Sequence, residues 1–235
     1  MAKYISALLL LLIFNLTFGQ SPQSDTAFIS ASVVNTKNVY SRVMKEQVYL
    51  NNGGDYIDYR PLKDEHPYFI SNDWITGSIG YNGERYDSVS LMYNIHSDQV
   101  ISEQFSSFIM IELVRDKIQF FSIYGHDFVM LQEKTIPYGF YDQLYKGKTS
   151  LYAKRYKEFI ETISAAQMQR SFLEKSKYYI NKDGNYYLVK SKKSVIQVLS
   201  DRKKELKQFI RKNHIRFWEN REGALIRLTE FYNGN

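Results

Sequence analysis

The sequence predicts an α+β chain. An antiparallel β-rich body (meander, roll or partly closed barrel) runs through about residue 190 and is followed by a C-terminal helical segment. Three observations predict this. Residues 74–101 place alternating apolar and polar runs on both sides of Asn82-Gly83, and such runs around Asn-Gly form a hairpin because the tight turn needs positive φ at both central residues. Residues 107–156 break into strand-length runs with turn residues between them, at the spacing of roughly 8–12 residues found in sandwiches, rolls and barrels. From Ser194 onward the apolar period lengthens from two to that of a helix.

The elements follow in order. Residues 28–38 are rich in Ser, Thr and Val and carry no assignable pattern. Residues 46–50 read as a short strand, 51–55 (Asn-Asn-Gly-Gly-Asp) as a turn, and 56–59 as a second strand. Residues 61–67 form a charged loop with Asp64, Glu65 and His66. In the 74–101 meander, Ile75, Gly77, Ile79 and Tyr81 share one face of the first strand, and Val89, Leu91, Tyr93 and Ile95 share one face of the second. A turn at Ser97-Asp98 leads back into 99–103. The long apolar run 107–114 ends at Arg115-Asp116-Lys117. Residues 118–123 alternate, Gly125-His126-Asp127 punctuates, and 128–133 resumes with Phe128 and Met130 on one face. A loop at Pro137-Tyr138-Gly139 precedes 140–145, and 149–156 alternates again. Residues 159–175 remain open between helix and irregular structure. Residues 178–189 form a second clear hairpin around Asp183-Gly184. Ser200 or Asp201 is placed to cap a helix that runs to about Asn213 with Leu206, Phe209 and Ile210 as its stripe, and a last helix starts near Glu222.

The first residues stand apart from the fold. Lys3 is followed by an almost wholly apolar run, 5–16, and then by Thr17-Phe18-Gly19. That run has the length of a signal-peptide core and is too short to span a bilayer, so cleavage is expected after Gly19. The expected organisation is therefore 1–19 signal peptide, 20–190 β-rich body and 191–235 helical segment packed on it. No comparable apolar run follows, so no transmembrane segment is expected in the mature chain. With no cysteine, disulfides, Cys-ligated zinc and thiol catalysis are excluded, and the core alone must hold an exported chain. Tyr is frequent, at 20 residues beside 15 Phe, which suits half-buried pleated surface or, more sharply, stacking platforms for sugars.

Several phrases together carry a resemblance. They are Leu50-Asn51-Asn52-Gly53-Gly54-Asp55-Tyr56, Gly77-Ser78-Ile79-Gly80-Tyr81-Asn82-Gly83, Leu91-Met92-Tyr93-Asn94, Gly125-His126-Asp127-Phe128, the run from Gly139 to Gly147, and Asp201-Arg202-Lys203-Lys204-Glu205-Leu206. In these the chain resembles a family of exported Gram-negative envelope proteins of unassigned function, over nearly all of the mature chain. The resemblance implies export to the periplasm or medium and one shared architecture; it implies no catalytic residues.

Charge is divided unevenly. Residues 20–145 carry 9 Lys+Arg against 16 Asp+Glu, whereas residues 146–235 carry 21 against 9. Much of the excess lies on the predicted helix, where Arg202, Lys203, Lys204, Lys207, Arg211 and Lys212 oppose the apolar stripe. Lys203, Lys207 and Arg211 fall at i, i+4 and i+8 and form one stripe. It is either a solvated face, a face turned to the chain's own acidic part, or a site for an anionic envelope surface such as phosphorylated lipid headgroups or acidic polysaccharide. Nucleic acid would suit the charge, but export argues against that partner.

Motifs for catalysis are sparse. There is no H-E-x-x-H, no G-x-S-x-G and no phosphate-binding P-loop, and no cofactor or metal is expected. Among the four histidines, His126 with Asp127 is the best local acid–base pair, the plain reading being a turn histidine bonded to backbone. His96-Ser97-Asp98 sits in a predicted turn, and Asp64-Glu65-His66 is first of all a charged loop. The expectation is an exported, non-enzymatic binding or assembly module. The alternative is a hydrolase of envelope glycans or peptides, whose carboxylates would be recognised only in space.

Overall fold

Asn82-Gly83 forms the turn its sequence dictates, with φ of 53° and 86°. It joins β2 (Ile75–Tyr81) to β3 (Glu84–Asn94). Asp183-Gly184 repeats the arrangement with φ of 52° and 77°, between β10 (Met168–Lys182) and β11 (Asn185–Val189). The computed structural model describes residues 50, 53–57, 65–103, 109–163 and 168–234, all within the unit Gln47–Asn235. The expected signal peptide 1–19, residues 20–49, and the stretches 58–64 and 104–108 lie outside the described residues.

The remaining strands are β1 (Gly54–Asp55), β4 (Gln99–Glu103), β5 (Met110–Glu112), β6 (Ile118–Ile123), β7 (His126–Leu131), β8 (Gly139–Tyr145) and β9 (Ser150–Ile163). Among the described residues they form, with β2, β3, β10 and β11, one sheet of 11 strands in the order β1-β5-β4-β3-β2-β6-β7-β8-β9-β10-β11. Each neighbouring pair in that order is antiparallel. The chain is thus α+β, as its pattern predicts. The end strands β1 and β11 do not pair with each other, so the sheet is open rather than closed into a barrel. It nonetheless curls: the Lys157 amide donates to the Ile95 carbonyl at 3.3 Å, and Lys154 Nζ donates to Asp98 Oδ2 at 2.8 Å, bringing the β3–β4 turn beside β9.

Four local readings are corrected. Gly54-Asp55, read as turn, forms β1, while Tyr56 follows it without strand pairing of its own beyond one bond from its amide to the Met110 carbonyl at 2.9 Å. Leu50, read as the end of a strand, is helical. His126 and Asp127, read as turn, open β7; the turn is Tyr124-Gly125, with φ of 53° and 75°. Of the open stretch 159–175, residues 159–163 and 168–175 lie in β9 and β10, the longest strand pair among the described residues, with Phe159 opposite Phe172 and Ile163 opposite Met168. Strict alternation also fails at three places, one of them between β8 and β9 at Gln143–Tyr145. Ser88, at φ 58°, accompanies a register shift between β2 and β3 that puts Tyr86 in the same core as Leu91 and Tyr93. A second shift opposite Gly80–Tyr81 lets Ile118 share a face with Phe121 and Ile123. Each extra residue rotates the strand by one position, which is what a bulge does.

The core of β2–β8 is aromatic. Tyr93, Phe121, Phe128 and Phe140 are buried together, with Phe69 of the preceding segment edge-on to Phe128 at 5.2 Å. Edge-to-face rings at this separation add to the burial of their area. Over β8–β11 the cover is helical instead. Helix α1 (Lys192–Val198), a 3₁₀ turn (Ser200–Arg202), α2 (Lys203–Lys212) and α3 (Arg221–Asn233) bury Val195, Leu199, Leu206, Leu225 and Leu228 against Leu151, Ile180 and Val189.

The helix ends are tied individually. Ser191 and Ser194 form a reciprocal capping box on α1, which satisfies amides that the first turn leaves unpaired. Neither Ser200 nor Asp201 caps α2: that helix has Arg202 at its N-cap and no side-chain cap. Asp201 instead accepts from Lys182 Nζ at 2.5 Å and from the Tyr232 hydroxyl at 2.6 Å. Arg202 donates to the carbonyls of Phe231 and Tyr232 at 3.3 and 2.7 Å, closing the C-terminus of α3. The Asn233 side chain exchanges two 2.9 Å bonds with the backbone of Thr149.

Candidate functional site

Two charged constellations stand out, one buried and one exposed. The buried one lies on the face of β7, β8 and β9 that looks toward α3. Alternation puts His126 on the side of Phe128 and Asp142 on the side of Phe140. His126 Nδ1 lies 2.8 Å from Asp142 Oδ2, and the ring stands edge-on to Phe69 at 5.1 Å. Arg155 of β9 donates Nε and Nη2 to the same Asp142 oxygen at 3.0 and 2.7 Å. Its Nη1 and Nη2 reach Glu222 of α3 at 2.6 and 2.9 Å. Ser176 Oγ accepts from Arg155 Nη1 at 3.2 Å, and the Tyr178 hydroxyl donates to Glu222 at 3.0 Å.

The electrostatics follow from this geometry. The hydrogen bond to Asp142 raises the His126 pKa above its ordinary value, with burial acting against it. Burial also opposes the charge on Arg155, but hydrogen bonds to Glu222 and the charge of Asp142 outweigh it and hold the guanidinium ionised. Asp142 and Arg155 are buried, and each has several partners, which is the condition for tolerating charges out of water. The constellation therefore fastens the first turn of α3 to the sheet. Asp127, the sequence neighbour expected to pair with His126, projects to the opposite face and accepts from Ser122 Oγ at 2.5 Å.

The exposed constellation sits between α1 and α2. Lys192 and Lys193 from α1 and Lys203 and Lys207 from α2 line one groove of about 580 Å³ together with Ile196, Gln197 and Ser200. Ile196 and the lysine methylene stems supply the apolar part of the lining, since a lysine stem covers apolar surface while its ammonium stays in water. All four lysines are exposed, and no carboxylate among the described residues bonds to any of them. Of the basic groups nearby, Lys182 is paired with Asp201, and Arg202 with Glu205 and the end of α3. Of the predicted stripe, Lys203 and Lys207 meet in the groove, while Arg211, also exposed, lies beyond it. Helical period does not mark Lys192 and Lys193, because a two-lysine step at a short helix's start has no period to read.

The other sequence candidates are structural. Glu65 Oε2 accepts from the Phe172 amide at 2.7 Å, and Lys157 Nζ donates to the His66 and Tyr68 carbonyls at 3.0 and 2.8 Å. His96 Nδ1 lies 2.9 Å from the Lys157 carbonyl oxygen in the β3–β4 turn. Among the described residues no three or more His, Asp or Glu side chains come together as a metal site, and no helix is long and apolar enough to cross a membrane. No family model, curated protein or solved structure matches this chain.

Proposed function

We propose that this chain is an exported, non-enzymatic binding module of the cell envelope that docks on an anionic surface through the groove between α1 and α2. The observation that carries the reading is the convergence of Lys192, Lys193, Lys203 and Lys207 on one groove without a carboxylate partner among the described residues. Four like charges gathered around one groove repel one another, and a phosphate or carboxylate group from outside relieves that repulsion. The apolar part of the lining suits a surface with alkyl or ring carbon beside its anions, as at a lipid headgroup boundary or along an acidic polysaccharide. Export rests on the N-terminal pattern of Lys3, the apolar run 5–16 and Thr17-Phe18-Gly19. The imidazole that a hydrolytic alternative would use is His126, whose Nδ1 is held by Asp142 and whose ring packs on Phe69.

The test is cosedimentation with vesicles containing phosphatidylglycerol, against vesicles of phosphatidylcholine alone, at low and high salt. Each lysine at an anionic lipid surface contributes about 1 kcal/mol, so the double variant Lys203→Gln/Lys207→Gln should partition roughly 30-fold more weakly at low salt. Adding Lys192→Gln and Lys193→Gln should remove the salt dependence. Acidic polysaccharide in solution should compete. Binding that is equal for parent and quadruple variant, or equal on both vesicle types, would sink the reading. Stability should stay within about 1 kcal/mol of the parent, since exposed charges contribute little to folding.

A further inference from the structure

A second cleft of about 470 Å³ opens where the α2–α3 connection crosses β10, lined by Glu174, Lys175, Ser176, Tyr178, Phe217, Trp218 and Arg221. We infer that this cleft binds a neutral oligosaccharide of pyranose rings, with Trp218 as its stacking platform.

The argument starts from Trp218. It is 81 % exposed, and no other ring or cation packs on its indole among the described residues. The other tryptophan, Trp74, is packed against the cluster of Tyr68, Met92 and Ile101. An indole left in water costs hydrophobic free energy that burial would recover. It also has few rotatable bonds, so it can bind at low entropic cost. Phe217, half-buried beside it, fixes the wall from which it projects.

The polar groups around the indole form a set with one pattern. Glu174 supplies carboxylate acceptors and Arg221 a guanidinium fork; neither has a hydrogen bond or ion pair with another described side chain, and Glu174 acts on Lys157, opposite it across the β9–β10 pair, through its charge. Lys175 is present but already paired with Glu158. The rim therefore carries opposite charges in near balance, unlike the all-cationic groove between α1 and α2. That balance disfavours an anionic polymer and suits hydroxyl groups, which both donate and accept and form their stronger bonds with charged partners. The floor continues the pattern. Ser176 Oγ accepts from Arg155 and donates to the Tyr178 hydroxyl, which in turn donates to Glu222, so this chain of bonds leaves a hydroxyl lone pair on each for a ligand. Both are held by the partly buried Arg155–Glu222 pair, so they are oriented before any ligand arrives. A flat apolar face edged by fixed donors and acceptors matches a pyranose ring, whose C–H face is apolar and whose edge carries hydroxyls.

The two indole N–H cross-peaks of the protein report the binding directly. Maltohexaose, cellohexaose and the hexamer of N-acetylglucosamine are titrated into the ¹⁵N-labelled protein to about 10 mM, which is roughly ten times a Kd of about 1 mM and so nearly saturates even a weak site. At least one of them should move the Trp218 peak saturably and leave the Trp74 peak in place. Trp218→Ala should weaken that binding at least tenfold without lowering the thermal midpoint, because its side chain is solvated. Glu174→Gln and Arg221→Gln should each weaken it severalfold. The quadruple lysine variant should bind the glycan as the parent does, which separates this cleft from the anionic site. No saturable shift with any of the three glycans, or an affinity in Trp218→Ala within twofold of the parent, overturns the inference.

Discussion

The strands β2–β8 bury rings against rings, whereas the face of β8–β11 under the helices buries aliphatic side chains, with Tyr141, Tyr152 and Tyr179 forming a separate cluster apart from it. In the first region Phe121 stacks on Phe128 at 4.7 Å, and Tyr93 meets Phe121, Phe128 and Phe140 edge-on at 5.0, 5.0 and 5.9 Å. In the second, Leu151, Ile180, Leu206, Leu225 and Leu228 fill the space, and the ring stack of Phe209 on Phe231, at 4.1 Å, is half-buried. The first region is held by interlocked shapes contributed by strands that also share hydrogen bonds. The second is held by a thinner apolar layer plus discrete polar ties: Arg155 to Glu222, Asn233 to Thr149, and Arg202 to the end of α3. The two regions should therefore fail differently.

The largest expected effect is in the aromatic core. Phe121→Ala should cost about 4 kcal/mol, since the ring is fully buried and its neighbours cannot close on the cavity. Phe209→Ala, which removes a half-solvated ring, should cost no more than about half as much. Urea midpoints of the two variants measure the contrast. Equal losses would show that the helical layer is packed as tightly as the strands.

The next effect tests the ties. Arg155→Met keeps the side-chain length but leaves the buried Asp142 carboxylate with His126 as its remaining ionic partner. Breaking a buried pair by removing one partner costs about 3 kcal/mol. Hydrogen exchange should show the loss first in the amides of α3, ahead of those in β6 and β7. Loss spread evenly over both regions would mean that the pair acts on the whole sheet.

The third effect is local to the first region. Gly83 sits at φ +86°, and nothing lies within 4 Å of the place a Cβ would take, so Gly83→Val meets backbone strain and no clash. It should cost about 1–2 kcal/mol. A urea midpoint equal to that of the parent would show that the turn tolerates a β-branched residue.

These contrasts also explain what the sequence discloses. Asn82-Gly83 and Asp183-Gly184 announce their turns because Asn, Asp and Gly are the residues that accept positive φ. Tyr124-Gly125 hides its turn, since a tyrosine at φ 53° is uncommon. The far half of the β9–β10 hairpin hides because Glu161, Thr162 and Ile163 are all exposed, and a ribbon wet on both faces has no alternation to read. Lys203 and Lys207 are legible by helical period. Lys192 and Lys193 need the packing of α1 on α2. Asp142 is invisible as the partner of His126, because they are joined across a strand pair whose register the 15 residues between them do not encode. The Trp218 cleft has only the general abundance of aromatic residues to suggest it.

The smallest effect concerns that histidine and is read against pH. The hydrogen bond to Asp142 raises the folded-state pKa of His126 above the unfolded value of about 6.5, with burial opposing and the nearby charges of Asp142, Arg155 and Glu222 contributing in both directions. A group whose pKa is raised by folding stabilises the fold fully below the unfolded pKa, and the gain is lost as pH rises through the folded pKa. His126→Phe should therefore lower stability more at pH 5.5 than at pH 8.5. The difference should not exceed about 1 kcal/mol, because the ring is partly solvated and its charge is screened. At pH 8.5 the phenyl ring keeps the edge-on contact with Phe69 and the variant should approach the parent. Paired urea titrations at the two pH values measure this. A larger loss at the higher pH would reverse the sign and show that neutral His126, through packing and a plain hydrogen bond, is the form that joins the sheet to its aromatic core.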